Sequence, residues 1–363
     1  MGLQNIMVLI VDSSPVYSKM FRSAVEEIDE NVAITCVVDG KDAADVITGK
    51  KPEIVILDAD VREPGLLELL KLIIQESPKS FVLVTSRPSS TSAKVFMDAL
   101  SAGASDSMTK PIHDSYSDNF ETIKSKMSDM IGILRNAGTS DTGIQSNLSG
   151  IVKDYITGKA GNIDKAAAKK VKAFRPQIIL FAVSTGGPRA LEKIIPELDP
   201  GIPVPILIVQ HMPPHFIETL AGRLNVKSRL KVKVAEDGER IYGGTVYLAP
   251  GGVHLRLNAD NEVYLDDSPP VNGVRPAADA LFESVANDFA GMRVLTVILT
   301  GMGQDSLKGM IKLKDKKKCY CIAQSEKTCV VYGMPRVVCE HGLVDMILDL
   351  DDIAQEIGKF NYI

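Results

Sequence analysis

The feature that most restricts what this chain can fold into is a set of short runs that are apolar at nearly every position: Val8-Leu9-Ile10-Val11, Ile34 to Val38, Ile54-Val55-Ile56-Leu57 and Phe81-Val82-Leu83-Val84. A strand with one face in water alternates apolar with polar residues, because successive side chains point to opposite faces. Runs without that alternation need cover on both faces, and amphipathic helical stretches lie between them. A parallel sheet flanked by helices meets both requirements. Ser14-Pro15 opens the first helix: the Ser14 hydroxyl is expected to cap free N–H groups, and Pro15 suits the first helical turn, where its missing donor does no harm.

The carboxyl ends of parallel strands share one edge, and ligands gather there. Asp12, Asp58 and Thr85 follow the first, third and fourth runs, and Lys110-Pro111 follows a short segment at Ser107-Met108-Thr109. Asp58 is suited to attack a phosphoryl donor, Lys110 to pair with the added phosphate and Thr85 to donate a hydrogen bond to it. The plain alternative is that polar residues collect at any strand end.

After a helix over Asp118 to Leu134, the stretch Asn136-Ala137-Gly138-Thr139-Ser140-Asp141-Thr142-Gly143 is small, polar and poor in core-forming residues, as linkers are. Lys165 to Lys172 is rich in alanine and lysine and reads as a solvated connector. Strand–helix alternation resumes with Ile178 to Val183, Ile206 to Val209 and Val294 to Leu299. With 363 residues there is room for two cores. The expectation is an α/β chain with a first domain over 1–135, a linker over 136–173 and a second domain over 174–363.

A formal net charge of -5 argues against nucleic acid as a partner, since backbone phosphates need a basic surface. No apolar run approaches the roughly 20 residues of a membrane-spanning helix, and Met1-Gly2-Leu3-Gln4-Asn5 does not begin a signal segment. A cytoplasmic protein, not inserted in a membrane, is expected. The 5 cysteines (Cys36, Cys319, Cys321, Cys329 and Cys339) lack the paired spacing of a zinc site and read as reduced packing residues. Cys319 and Cys321 read either as a redox pair or as two small buried thiols on one strand face. Lys312 to Lys318 reads as a solvated helix face, with contact to an acidic partner as the alternative.

In the second half, Phe181-Ala182-Val183-Ser184-Thr185-Gly186-Gly187-Pro188 places a serine at a strand-to-helix turn. Ile208-Val209-Gln210-His211-Met212-Pro213-Pro214 places a histidine after another strand, and Leu299-Thr300-Gly301-Met302-Gly303-Gln304-Asp305 an aspartate after a third. A serine hydroxyl is a poor nucleophile until a histidine takes its proton, and that histidine needs a carboxylate to hold its tautomer. Helix N-terminal N–H groups near Ser184 suit an oxyanion, and Gly186-Gly187 allows close backbone approach. Several alternatives stay open. Ser184-Thr185-Gly186-Gly187 also reads as a phosphate cradle, although it lacks the usual glycine-rich patterns. Ala182 replaces the first glycine of a nucleophile elbow, and the order Ser, His, Asp differs from that of the α/β-hydrolases. His211, His215 and His254 all lie near turns, and the plain alternative for Asp305 is a cap for a helix over Leu307 to Leu313, which does not exclude its orienting a histidine.

Two resemblances sharpen this reading. Residues 5–125 resemble the receiver domain of bacterial response regulators, which implies a flavodoxin-like fold, Asp58 as phosphoacceptor, Thr85 as the switch hydroxyl, and Lys110 as the phosphate-sensing lysine before a proline that is commonly cis. The resemblance also implies a Mg²⁺ site at Asp12 and Asp58. Receivers usually carry two adjacent acids after the first strand, but this chain reads Asp12-Ser13. Mg²⁺ favours carboxylate oxygens in a strict octahedron, so the site is expected to be weak and phosphorylation weakened or lost. The loop Ala59-Asp60-Val61-Arg62-Glu63-Pro64-Gly65 is altered too, with Asp60 as a candidate compensating charge.

Residues 176–358 resemble the catalytic domain of the chemotaxis protein-glutamate methylesterase (CheB) family. The matching stretches are Ser184-Thr185-Gly186-Gly187-Pro188, Gln210-His211-Met212-Pro213-Pro214, Tyr247-Leu248-Ala249-Pro250-Gly251-Gly252-Val253-His254, Arg275-Pro276-Ala277-Ala278-Asp279, Leu299-Thr300-Gly301-Met302-Gly303-Gln304-Asp305 and Val331-Tyr332-Gly333-Met334-Pro335-Arg336. The resemblance implies a Rossmann-like domain in which Ser184 is the nucleophile, His211 the general acid–base and Asp305 its orienting carboxylate. It also implies an oxyanion held by backbone N–H groups near Thr185 and Met302, with His254 structural or cleft-lining. Ser306 stands where the family often has glycine. The implied substrates are glutamate γ-methyl esters, and also glutamines, on methyl-accepting chemoreceptors. Hydrolysis would use no metal or organic cofactor, and a chemotaxis histidine kinase is the implied donor to a receiver that restricts access until phosphorylated. The rival reading is a non-catalytic signalling or docking protein that retains the fold.

Overall fold

The computed structural model describes residues 6–89, 91–137, 174–288, 291–316 and 318–362. The chain divides between Asp141 and Thr142 into two compact units. Most of the expected linker, including Lys165 to Lys172, lies outside the described residues.

The first unit runs β1 (Met7–Val11), α1 (Pro15–Ile28), β2 (Ala33–Val37), α2 (Gly40–Lys50), β3 (Ile54–Asp58), α3 (Leu66–Glu76), β4 (Phe81–Ser86), α4 (Ser92–Ser101), β5 (Asp106–Thr109) and α5 (Tyr116–Ala137). Its sheet is parallel in the order β2-β1-β3-β4-β5. Strands β3 and β4 are buried at every position, as unalternated runs require. Strand β2 is the exception to the expected two-sided burial, because it is an edge strand with Ala33 and Cys36 exposed. Ser14 does stand at the N-cap of α1 with Pro15 at its first turn, but its hydroxyl makes no capping bond. The Ser14 N–H instead donates to Asp12 Oδ1 at 2.8 Å.

The second unit runs β6 (Ile178–Val183), α6 (Gly187–Ile194), β7 (Ile206–Gln210), α7 (Pro214–Lys227), β8 (Lys231–Val234), β9 (Thr245–Leu248), β10 (His254–Leu257), β11 (Val263–Asp266), α8 (Ala278–Asp288), β12 (Arg293–Ile298), α9 (Leu307–Lys316), β13 (Lys318–Gln324), α10 (Met334–Glu340), β14 (Met346–Leu348) and α11 (Leu350–Gly358). A parallel sheet has the order β14-β13-β12-β6-β7-β9-β8, and β10 with β11 forms a separate antiparallel pair. Its start is anchored by Phe174, whose ring lies 5.7 Å from Tyr320 and 6.2 Å from Phe360. The sequence runs outward from β6 to β7 on one side and returns to β12 on the other. Loops leaving β6 and β12 therefore part in opposite directions, opening a crevice at their carboxyl ends. In the first unit the same reversal falls between β1 and β3, where Asp12 and Asp58 stand.

All 5 cysteines are free thiols. Burial pushes the Cys319 thiol up to about 11 and Cys321 higher still, the opposite of what a redox thiolate needs, which favours packing for this pair, whereas Cys36 is exposed on β2 and does not fit the packing expectation. The basic run on α9 is occupied within its own unit: Lys312 Nζ meets Glu283 at 2.9 Å, Lys314 meets Asp345, and Lys316 donates to Asn287 at 2.9 Å.

Candidate active site

Ser184, His211 and Asp305 leave the carboxyl ends of β6, β7 and β12, three adjacent strands around the reversal point. Register brings the first two together, since Val183 pairs with Gln210 and the His211 N–H donates to the Val183 carbonyl at 3.2 Å. Gln210, to which no role had been assigned, ties them further. Its Nε2 donates to the Ser184 carbonyl at 3.0 Å and to the His211 carbonyl at 3.3 Å. Position 187 must be glycine for this arrangement, because a Cβ there would lie 1.9 Å from Gln210 Oε1.

The Ser184 N–H donates to the Thr300 carbonyl at 3.1 Å, and Thr300 Oγ1 donates to the Thr185 carbonyl at 2.9 Å, so the loop after β12 is laced to the serine turn. A Cβ on Gly301 would lie 2.8 Å from Ser184 Cβ, which puts the backbone just before Met302 directly against the serine. Gly333 and Met334 N–H groups hold that loop by donating to the Gly301 carbonyl at 3.1 and 2.9 Å.

His211 Nε2 lies 2.7 Å from Asp305 Oδ2. Asp305 is buried and accepts three further bonds: from the Ala278 N–H at 2.5 Å, the Asp279 N–H at 3.0 Å and Asn272 Nδ2 at 3.0 Å. Burial pushes its carboxyl upward, but the bond and charge of His211 and the two N–H groups at the start of α8 outweigh it and hold the group below the ordinary carboxylate value. None of these bonds reaches α9: the Asp305 carboxylate is bonded to His211, Asn272 and the start of α8, and not to that helix. Asp279 is a second carboxyl that sequence reasoning missed. It is buried, accepts from Gly309 N–H at 2.7 Å and Asn272 Nδ2 at 2.8 Å, and is pushed up by burial despite those bonds. Its signal was present as an acid inside the apolar run Ala277-Ala278-Asp279-Ala280-Leu281-Phe282.

The other histidines separate cleanly. His254 is fully buried, accepts from the Ala277 N–H at Nδ1 over 3.1 Å and faces the Pro269 carbonyl with Nε2 at 3.2 Å. Its bond to Ala277 fixes the backbone immediately before the two N–H groups that hold Asp305. His215 lies in the first turn of α7 with its side chain in solvent beside Glu218.

In the first unit, Lys110 Nζ lies 2.7 Å from Asp12 Oδ2 and 2.9 Å from Asp58 Oδ2, with the Tyr17 ring centroid 5.1 Å away. Thr85 pairs with Asp58 across β3 and β4, and its buried hydroxyl has no partner among the described residues. Burial pushes Asp12 upward and Lys110 only partly offsets this. Two expectations are corrected. The Asp60 carboxylate is exposed and paired with Arg87 at 3.2 Å, so its charge is already offset, and only its N–H reaches Asp58 Oδ1, at 3.3 Å. The cis peptides are Glu63–Pro64 and Arg275–Pro276, whereas Lys110–Pro111 is trans. As a Mg²⁺ site the donor set does not fit: Lys110 already bridges both carboxylates, Ser13 is neutral and exposed, and no group of three or more His, Cys, Asp or Glu residues suited to a metal occurs among the described residues.

Comparison with known proteins gives concordant results. A family profile described as CheB methylesterase matches residues 179–357, and one described as response regulator receiver domain matches residues 8–116. A protein of Desulfotalea psychrophila named protein-glutamate methylesterase/protein-glutamine glutaminase is 36% identical over 98% of both chains. One of the same name from Geobacillus kaustophilus is also 36% identical over 98% of both. The crystal structure of the Thermotoga maritima CheB methylesterase catalytic domain is 45% identical and covers 50% of this chain and 97% of its own, with a TM-score of 0.48.

Proposed function

Because the chain belongs to the protein-glutamate methylesterase family, we propose that its second unit hydrolyses glutamate γ-methyl esters on chemoreceptors, and the amides of glutamines there, through Ser184, His211 and Asp305. The observation that carries the reading is the buried Asp305 carboxylate, held by two backbone N–H groups and 2.7 Å from His211 Nε2, at the reversal point where Ser184 also stands. With Nε2 engaged, Nδ1 is the nitrogen left to accept the Ser184 proton as Oγ attacks the ester carbonyl. Backbone N–H groups at Thr185 and Met302 receive the oxyanion. Collapse expels methoxide, which takes the proton from Nδ1 and leaves as methanol, with the glutamyl group esterified to Ser184. Water, giving a proton to Nδ1, then attacks that ester, and the Ser184 oxygen takes the proton back as the glutamate carboxylate is released. No metal or organic cofactor takes part. For a glutamine the leaving group is ammonia.

The first unit is the candidate regulatory receiver, with Asp58 as acceptor from a chemotaxis histidine kinase, Thr85 as switch hydroxyl and Lys110 as sensor. Without an acid at Ser13, transfer to Asp58 is weakened or lost. The work is cytoplasmic, on the receptors' cytoplasmic helices, in keeping with the finding that no helix of the described residues is long and apolar enough to cross a membrane. The rival reading is a docking protein without catalysis. Methanol release from methylated receptor membranes separates them: the full chain is expected to release it and Ser184→Ala to lose about 10⁴-fold or more in kcat. Equal release by parent and variant sinks the reading.

A further inference from the structure

Asn272 occupies an exposed loop between β11 and α8, in the left-handed backbone region at φ 55. Its single amide nitrogen serves two buried carboxylates at once, donating to Asp305 Oδ1 at 3.0 Å and to Asp279 Oδ2 at 2.8 Å. We propose that Asn272 is a positioning residue for the triad, a clamp whose two N–H bonds bridge Asp279 and Asp305, offset their mutual repulsion and turn Asp305 Oδ2 toward His211.

The need for such a clamp follows from charge. Two buried carboxyls of like sign repel, and each must find donors or take up a proton. Asp305 has four donors including His211, and Asp279 has the Gly309 N–H; among the described residues Asn272 is the one group bonded to both. Asp305 Oδ1 accepts from Asn272 and the Asp279 N–H, while Oδ2 accepts from His211 and the Ala278 N–H. Without the amide, Oδ1 keeps one fixed partner and the carboxylate is freer to rotate. The ionisable groups bearing on the pair are His211, on Asp305, and Glu283, on Asp279; Glu283 is itself paired with Lys312 at 2.9 Å. Because only the side-chain amide reaches inward, the clamp can be removed with little disturbance of the core.

Two substitutions separate the amide from the backbone, since glycine and aspartate both tolerate a positive φ. The inference rests on the proposed triad, so one readout needs no substrate. In the full chain, Asn272→Gly is expected to lower kcat for methyl-ester hydrolysis about 10- to 100-fold, as misplacement of a catalytic group does, with KM within about twofold and the melting temperature little changed. Asn272→Asp keeps the size but replaces the donor by a third carboxylate. If the amide positions Asp305, the His211 ring resonances of the substrate-free chain should shift in Asn272→Gly as well as in Asn272→Asp, because the Oδ2 contact is disturbed in both. Wild-type kcat in Asn272→Gly together with unmoved His211 ring resonances in that variant overturns the clamp. If the parent releases no methanol while the His211 ring resonances still shift in Asn272→Gly, the hydrolase reading fails and the clamp stands.

Discussion

His211 presents Nε2, and not Nδ1, to Asp305, at 2.7 Å. Under the proposed mechanism the proton-accepting nitrogen is then the one nearer the histidine backbone, on the side where the His211 N–H is bonded to Val183, the residue before Ser184. Replacing Asp305 by asparagine puts an amide among four donors: its NH₂ must face either His211 or the N–H groups of α8. The wrong tautomer or a displaced ring follows, and kcat for ester hydrolysis should fall by about 10⁴-fold. A steady-state assay of Asp305→Asn within tenfold of the parent sinks the assignment.

The same carboxyl makes a prediction about pH and stability. Asp305 is held below its unfolded value of about 3.9, so its contribution is present above that value and is lost as pH falls through the folded one. Asp279 is raised, so ionising it in the folded chain costs stability just above pH 4, a cost relieved on acidification. Urea unfolding as a function of pH should show a shallower acid loss in Asp305→Asn and, just above pH 4, a steeper one in Asp279→Asn. Identical slopes in all three proteins contradict the assignment.

Ser306 combines a φ of 90 with a fully buried hydroxyl that has no hydrogen-bond partner among the described residues. Both features cost free energy, and glycine relieves both. Ser306→Gly should stabilise the second unit by about 1 kcal/mol in denaturant titration. A loss of stability would show that the serine Cβ packing outweighs the strain.

Lys110 is the sole ammonium among the described ion pairs of Asp12 and Asp58, and all three groups are buried. Lys110→Met leaves two carboxyls unpaired, which should cost about 3–5 kcal/mol at neutral pH and less as acid protonates them. Unfolding of the first unit that is unchanged at pH 7 contradicts the buried bridge. The companion measurement is labelling by acetyl phosphate with Mg²⁺: stable label in the parent, absent from Asp58→Ala, would restore ordinary receiver chemistry despite Ser13.

Much of this was legible in the sequence, and the reason is local. Strand runs without alternation need cover on two sides, and residues at their carboxyl ends are carried to one edge whatever the loops do. Ser184, His211, Asp305, Asp12, Asp58, Thr85 and Lys110 all follow strand runs, but position alone leaves His211, His215 and His254 open, and the choice of His211 comes from the family resemblance. Pattern does not report that the Ser14 hydroxyl makes no capping bond at the start of α1, or that Asp60 pairs with Arg87 in an exposed ion pair.

What the sequence by itself determined is the pair of parallel sheets and the membership of their active edges, since both follow from side-chain period and strand order. What only the tertiary structure decided is orientation: the imidazole nitrogen that faces the acid, the Gln210 tie between serine and histidine, and the Asn272 amide shared by Asp279 and Asp305. Asn272 and Asp305 are 33 residues apart, and no local pattern reports a bond that exists only after β12 and α8 have packed. Directional contacts between distant loops are set by the final packing, which the alternation of residues along a strand does not encode.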